Sequence, residues 1–331
     1  MSAAGAKSVL VVAECLQGKA TGPTRELLGL ARRLAEPAGG TAVAALLGSG
    51  SAAAAPDLIA HGADTVFVAE HPTLGEYHAD AWVPVLARIC RQAACDAILI
   101  NHNSLGADLA PRLAFRLGTA VATGCVEVNW GAGGLVLTRP CYGGNAREVV
   151  SFKTAPAIAT VRPGCYDTPD ADAGRSGTVE HVPAEVDAAA IRTRIVARNR
   201  EAAQGMRLED AKVIVAGGRG LNGAAGFNVL AELASELGGA VGASRVPCDL
   251  GWCPRSWQIG LTGRTVTPEV YIAVGISGAG HHMAGCGNAR TIVAVNTDPE
   301  AAIFRDARYG IVGDYQQFIP AFIAELQRRR G

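Results

Sequence analysis

Apolar and polar positions along this chain fall into two kinds of block. Short runs of aliphatic and β-branched residues, Ser8–Ala13, Thr41–Leu47, Thr65–Ala69 and Ala97–Asn101, have the length and composition of buried strands. Between them lie stretches with apolar residues at helical spacing. One opens at Pro23-Thr24-Arg25-Glu26, runs through Leu34 and is closed by Pro37 and Gly39-Gly40. Ser51–His61 reads as a helix of low complexity. Ala79–Ala94 reads as a helix with Trp82, Leu86, Ile89 and Cys90 on its apolar face. Strand and helix in alternation predict a mostly parallel sheet. Four shorter strands, Ala122–Val128, Leu135–Thr138, Arg147–Phe152 and Ala157–Val161, complete a first lobe.

The pattern breaks at Tyr166–Pro183, where Asp, Pro, Gly and Ala dominate, as in a linker. Glu185–Asn199 then alternates apolar and basic positions and leads to a second lobe. Strand and helix resume there: a strand at Lys212–Ala216, a helix over Ala224–Leu237, and a strand around Val241. Strands at Val270–Val274 and Thr291–Val295 and a last helix over Gln316–Gln327 follow. The predicted organisation is α/β in two lobes, residues 1–200 and 201–331, without an internal repeat. A chain of 331 residues has room for two such domains.

Composition narrows the function. Formal net charge is zero, so no excess of cations exists to displace the counterions of a nucleic acid. No apolar run reaches the ~20 residues that span a bilayer. Met1–Lys7 leads straight into a strand rather than into a secretory h-region, so a cytoplasmic protein is expected. The nine cysteines include no C-x-x-C pair, and Cys248 and Cys253 are the closest pair late in the chain. They read as reduced, mostly buried thiols. Arg328-Arg329-Arg330 reads as a solvated helix end.

The chemistry-bearing stretch is Val270–Phe304. Its two strands flank a loop with Gly275, Ser277, Gly278 and Gly280, followed by His281 and His282. Glycines let a backbone approach a phosphate, and successive N–H groups make an anion-binding concavity. The second strand ends at the polar turn Asn296-Thr297-Asp298-Pro299. Such a loop suits a dinucleotide bound beyond the carboxyl ends of an open sheet. Gly217-Gly218-Arg219-Gly220, between a strand and a helix, is a second phosphate-cradle context in which Arg219 offers a bidentate donor. Taken singly, these are also ordinary turns, surface arginines and capping residues.

With AGGRGL (Ala216–Leu221), VGASR (Val241–Arg245), QIGLTGRT (Gln258–Thr265) and YGIVGD (Tyr309–Asp314), this segment resembles the electron transfer flavoprotein alpha subunit family. VLVVAE (Val9–Glu14), NSLGADLAPRLAFRLG (Asn103–Gly118) and RPCYGGNA (Arg139–Ala146) extend the resemblance over nearly the whole chain. It implies a nucleotide-hydrolase-like parallel-sheet lobe at the N-terminus and a Rossmann-like FAD-binding lobe at the C-terminus. It implies a heterodimer with an electron transfer flavoprotein beta subunit, docked on the first lobe. It further implies an electron carrier between flavin dehydrogenases and a quinone oxidoreductase or other acceptor, rather than a substrate-converting enzyme.

The resemblance places Arg219, Asn296 and Asp314 along the adenosine end, and Ser277, Gly278 and Ala279 at the pyrophosphate. Ser244 and Arg245 fall against the isoalloxazine ring, with Ile259, Gly260, Leu261 and Thr262 around it; Thr262 is implied to donate to flavin N5. Gly280, His281 and His282 complete the set, with His282 near O2 as a stabilising imidazolium. Leu261 and Arg264 stand where the family has Gln and Lys. His281 replaces a Gln and Gly280 a bulkier apolar residue. These departures leave open a specialised or electron-bifurcating version. Arg139, Tyr142 and Asn145 read as packing between lobes or subunits. Adjacent histidines without a third ligand predict no metal. NSLG lacks the GxSxG elbow, so Ser104 is no nucleophile. A nicotinamide dehydrogenase would need G-x-G-x-x-G after the first strand, where Cys15-Leu16-Gln17 stands instead. A non-redox nucleotide-binding module is the remaining rival.

Overall fold

A computed structural model describes residues 7–144, 146–197 and 206–330. The chain divides into two compact units, residues 1–198 and 199–331. The predicted division at 200/201 and Asn145 lie outside the described residues.

The first unit is built on a seven-stranded parallel sheet. Its first strand, β1 (Ser8–Ala13), leads through a two-strand ribbon, β2 (Cys15–Leu16) and β3 (Lys19–Ala20), into α1 (Gly22–Ala35). Thr21 caps α1 and Pro23 sits in its first turn, where a missing N–H costs nothing. There follow β4 (Thr41–Gly48), α2 (Ala55–Ala60), β5 (Thr65–Glu70), α3 (Ala79–Gln92) and β6 (Ala97–Asn101). Next come α4 (Ser104–Leu117), β7 (Val121–Cys125), β8 (Glu127–Gly131), β9 (Gly134–Cys141), β10 (Ala146–Ser151), β11 (Ala157–Val161) and β12 (Thr178–His181). The sheet order is β12-β5-β4-β1-β6-β11-β7. Alternate residues of β1 feed opposite cores: Val9 and Val11 pack with α1, Leu10 and Val12 with α3 and α4. Apolar layers on both faces explain why the strands read as continuous apolar runs.

Two features depart from the sequence reading. The single strand over Ala122–Val128 is two: β7 pairs with β11, whereas β8 opens a separate antiparallel sheet, β10-β9-β8. Gly124, at φ 69°, sits at an irregularity near the end of β7, where its register with β11 shifts just before the break. The linker over Tyr166–Pro183 contains β12, which extends the main sheet beside β5. An edge strand with mostly exposed side chains carries no apolar run, so composition hid it.

The second unit holds a five-stranded parallel sheet, β14-β13-β15-β16-β17. Its elements are β13 (Val213–Gly217), α5 (Gly226–Glu236), β14 (Ala240–Ala243), α6 (Arg245–Asp249), β15 (Val270–Val274), α7 (Gly280–Cys286), β16 (Thr291–Asn296), β17 (Tyr309–Val312) and α8 (Tyr315–Arg330). One face packs Val215, Ile272 and Val274 against Phe227, Leu230 and Leu233 of α5 and Ile319 and Ile323 of α8. The other packs Ile214, Tyr271 and Ala273 against Ile259, Val266 and Cys286. No described helix is long and apolar enough to cross a membrane.

Candidate functional site

Two constructions meet at the carboxyl end of the second sheet. The first is a pair of loops at the point where strand order reverses, between β13 and β15. Gly218 N–H donates to Val274 O at 2.9 Å and Gly220 N–H to Gly275 O at 3.0 Å. A Cβ on Gly218 would overlap the Gly275 carbonyl. Gly278, at φ 82°, lies against the backbone of Ala302 and Ile303. These glycines serve loop-to-loop contact. Their packing fixes the neighbouring donors: among the described residues, no backbone oxygen accepts from Ser277, Gly278, Ala279 or Gly280 N–H. Asn296, at the end of β16, donates from Nδ2 to Ile276 O at 2.9 Å and accepts from Asp298 N–H at 3.0 Å. Asp314 caps α8, accepting from Gln316 N–H at 2.9 Å. Arg219 is exposed on the turn after β13.

The second construction is a cavity of about 210 Å³ beside β14 and α7. Ile259 N–H donates to Ala243 O at 2.9 Å, which ties the following loop to the end of β14. Leu261 N–H donates to His281 O at 2.7 Å, which ties the same loop to α7. Ile259, Gly260, Leu261 and Thr262 thereby face His281 and His282 across the cavity, with Arg245 at its edge. Seven of the residues singled out in the sequence share this one space. Arg219, Ser277, Gly278, Ala279, Asn296 and Asp314 do not line it, and neither does Ser244, whose N–H donates to Gly217 O. Gly280 opens α7 just before His281.

Gln258 was not among the residues expected at the site. It is buried, lines the cavity, and donates from Nε2 to Thr262 Oγ1 at 3.0 Å. That bond occupies a lone pair of the hydroxyl and leaves the Thr262 O–H free to donate elsewhere. The QIGLTGRT block contained the residue; only the fold shows the contact.

His282 differs from expectation in charge. The Ile259 carbonyl can only accept, so the 3.1 Å contact requires Nδ1–H on His282. Nε2 then accepts from the Tyr271 hydroxyl at 3.0 Å. Burial depresses the imidazole to a pKa of about 4, against an ordinary 6.5. A neutral ring with both nitrogens engaged replaces the expected imidazolium. Arg245 is the cation on the cavity, and it pairs with Asp249 at 3.0 Å. Its side chain is 67% exposed, so the charge is partly screened by water as well as by its partner.

A guanidinium, a free hydroxyl hydrogen and apolar Ile259 and Leu261 suit a flat heteroaromatic ring that gains negative charge. The cavity is smaller than the ~300–1,000 Å³ of whole-ligand pockets, so it has room for the ring end alone. The N–H groups of 277–280 at the adjoining strand ends suit a pyrophosphate. The residues present thus fit a flavin dinucleotide. Among the described residues, no three His, Cys, Asp or Glu are placed to hold a metal.

Comparison with known proteins agrees. A model of the electron transfer flavoprotein domain matches residues 9–187, and one of the electron transfer flavoprotein FAD-binding domain matches residues 207–287. The chain belongs to the electron transfer flavoprotein alpha subunit family. The subunit alpha of Thermoanaerobacterium thermosaccharolyticum is 41% identical over 324 residues, 97% of this chain and 98% of that protein. The subunit alpha of Bacillus subtilis is 40% identical over 322 residues, 97% of this chain and 98% of the relative. Protein FixB of Clostridium saccharobutylicum is 38% identical over 330 residues, 99% and 98% of the two chains. FAD is the cofactor named for the domain in the second unit.

Proposed function

We propose that this alpha subunit carries electrons as a 1:1 heterodimer with an electron transfer flavoprotein beta subunit, in the cytoplasm, and is not itself a substrate-converting enzyme. The observation that carries the reading is the convergence of Arg245, Ile259–Thr262, His281 and His282 on one cavity beside a donor-lined loop. Arg245, Ile259–Thr262 and the loop of 277–280 would hold FAD, which would supply the redox chemistry of a carrier between a flavin dehydrogenase and a quinone oxidoreductase or other acceptor that takes electrons singly.

The protein's part is orientation and electrostatics. Gln258 holds the Thr262 oxygen, which leaves the Thr262 hydrogen available to a ring acceptor. Arg245 places positive charge at the cavity edge and Asp249 limits it. His282, clamped between Ile259 O and Tyr271, forms a neutral wall. Ser277, Gly278 and Ala279 offer N–H groups to the pyrophosphate, and Arg219, Asn296 and Asp314 stand on the turns nearest an adenosine end. Asn296 and Asp314 also hold those turns in shape.

The antiparallel sheet β8–β10 carries the RPCYGGNA block, with Tyr142 and Val149 exposed. It is the surface we assign to the beta subunit. Sedimentation of the co-expressed pair tests the partnership: a 1:1 complex with one FAD per alpha chain is expected. A stable lone alpha chain beside free beta subunit, or a flavin-free complex, overturns the reading.

A further inference from the structure

Two cysteines that the cavity does not use stand sulfur to sulfur. Cys248 Sγ and Cys253 Sγ are 3.5 Å apart, and both side chains are buried. The backbone prepares the contact. Cys248 lies in the last turn of α6; Gly251, at φ 71°, reverses the chain, and its N–H donates to Cys248 O at 3.1 Å. Trp252 N–H then donates to Pro247 O at 2.9 Å, which brings Cys253 back over Cys248. Cys248 Sγ also lies 3.6 Å from Pro254 O, and buried Cys90 lies beside the Cys95 side chain; the remaining described contacts of the buried thiols are to carbonyls. Cys95 donates to Cys90 O at 3.4 Å, Cys125 to Ala122 O and Cys286 to His282 O at 3.6 Å.

A disulfide requires the sulfurs to close to about 2.05 Å. Here the turn has already met most of the entropy of bringing them together. The stretch Asp249–Gly251 between the two cysteines is exposed. Arg245 and Arg255 stand on either side of it, both paired with Asp249. The segment matters to the site because it begins at Arg245 and ends at Gln258, both on the cavity.

We propose that Cys248 and Cys253 form a redox-active dithiol that exchanges with low-molecular-weight disulfides, closing to an intrachain disulfide at the end of α6. The Cys248 thiolate attacks one sulfur of the small disulfide; that S–S bond breaks and one thiolate leaves. The Cys253 thiolate then attacks Cys248 Sγ and displaces the second. Two protein thiols are oxidised, one small disulfide is reduced to two thiols, and the two protein protons pass to the leaving thiolates. Either sulfur can donate across the 3.5 Å contact; with the Cys253 S–H donating and Arg255 nearby, the thiolate is favoured at Cys248, which is therefore assigned the attack.

The test equilibrates the purified full-length chain in oxidised and reduced glutathione at varied ratio, quenches by alkylation and maps peptides by mass. The Cys248–Cys253 peptide should lose two hydrogens and resist alkylation in oxidising buffer, and should recover both thiols in reducing buffer. Cys90, Cys95, Cys125 and Cys286 should stay as thiols throughout. Cys253→Ser should accumulate glutathione on Cys248 by about tenfold over wild type, because the displacing thiol is gone. Trp252 gives a fluorescence readout on the unmodified chain. A wild-type pair that remains two thiols across the whole range overturns the proposal, as does a glutathione adduct that never resolves to the intrachain bond.

Discussion

The two units present the same architectural opportunity and fill it with opposite chemistry. Each parallel sheet has a reversal of strand order at its centre, between β1 and β6 in the first unit and between β13 and β15 in the second. A crevice beyond the carboxyl ends at such a reversal is where open α/β sheets bind ligands. In the first unit, Glu14 follows β1 and its carboxylate accepts from Asn101 Nδ2 at 3.1 Å and Asn103 Nδ2 at 2.9 Å. Burial raises its pKa, and the two amides work against that rise. A half-hidden carboxylate at this spot opposes a phosphate. In the second unit the same position holds glycine loops, backbone donors and, nearby, Arg245. Fold alone does not assign a cofactor; the side chains at the reversal do.

The comparison breaks most visibly at Gly218. Gly218→Ala forces a Cβ into the Gly275 carbonyl and should cost about 3 kcal/mol of stability, with loss of FAD on gel filtration. Thermal unfolding checks the cost; an unchanged Tm with flavin retained would show that the loops do not depend on this contact.

Acid should act on the two units in opposite directions. Glu26 in the first unit accepts from Gly164 N–H at 2.6 Å, yet burial raises its pKa to about 7 from 4.5. Its folded pKa is raised, so its contribution is full below 4.5 and is lost as pH rises toward 7. His282 in the second unit is depressed to about 4 from 6.5, so its contribution is present above 6.5 and lost as pH falls toward 4. Each change should be about 3 kcal/mol. Hydrogen exchange resolved by unit between these limits should show slopes of opposite sign. Glu26→Gln should flatten the first slope only; parallel slopes would contradict the assignments.

Removing Glu14 sharpens the contrast further. Glu14→Ala leaves the Asn101 and Asn103 amides without their acceptor and should cost about 1–2 kcal/mol, with FAD content unchanged. A loss of flavin in that variant would place the cofactor in the wrong unit.

The smallest expected effect is electronic. Arg245→Ala should lower the first one-electron potential by no more than about 60 mV, tenfold in equilibrium constant, because the charge is exposed and paired. Asp249→Asn should shift it the other way. His282→Ala should leave no imidazolium signature in the potential between about pH 5 and 8. Potentiometric titration of the three variants decides each sign.

Much of this was legible in the sequence because it rests on local pattern. β1, β6 and β15 run over the spans their apolar content predicts. The block from Gln258 to Thr265 reached the cavity because its turn is short and self-contained. What escaped depended on distant partners. β12 has no apolar run to announce it, and its pairing with β5 crosses more than a hundred residues. The neutral state of His282 follows from its burial between Tyr271 and the Ile259 loop, neighbours distant in sequence. The loop-to-loop contacts of the glycines at 218 and 275 escaped for the same reason. A glycine that meets a phosphate and one that meets another loop look alike until the loops are placed.

The most direct test of the central claim is backbone amide exchange on the alpha–beta complex with FAD bound and after its removal. Protection on binding should appear at residues 258–264 and 276–282 and be absent at residues 13–16 and 101–106. Protection confined to the first unit's strand ends would contradict the assignment of the cofactor to the second.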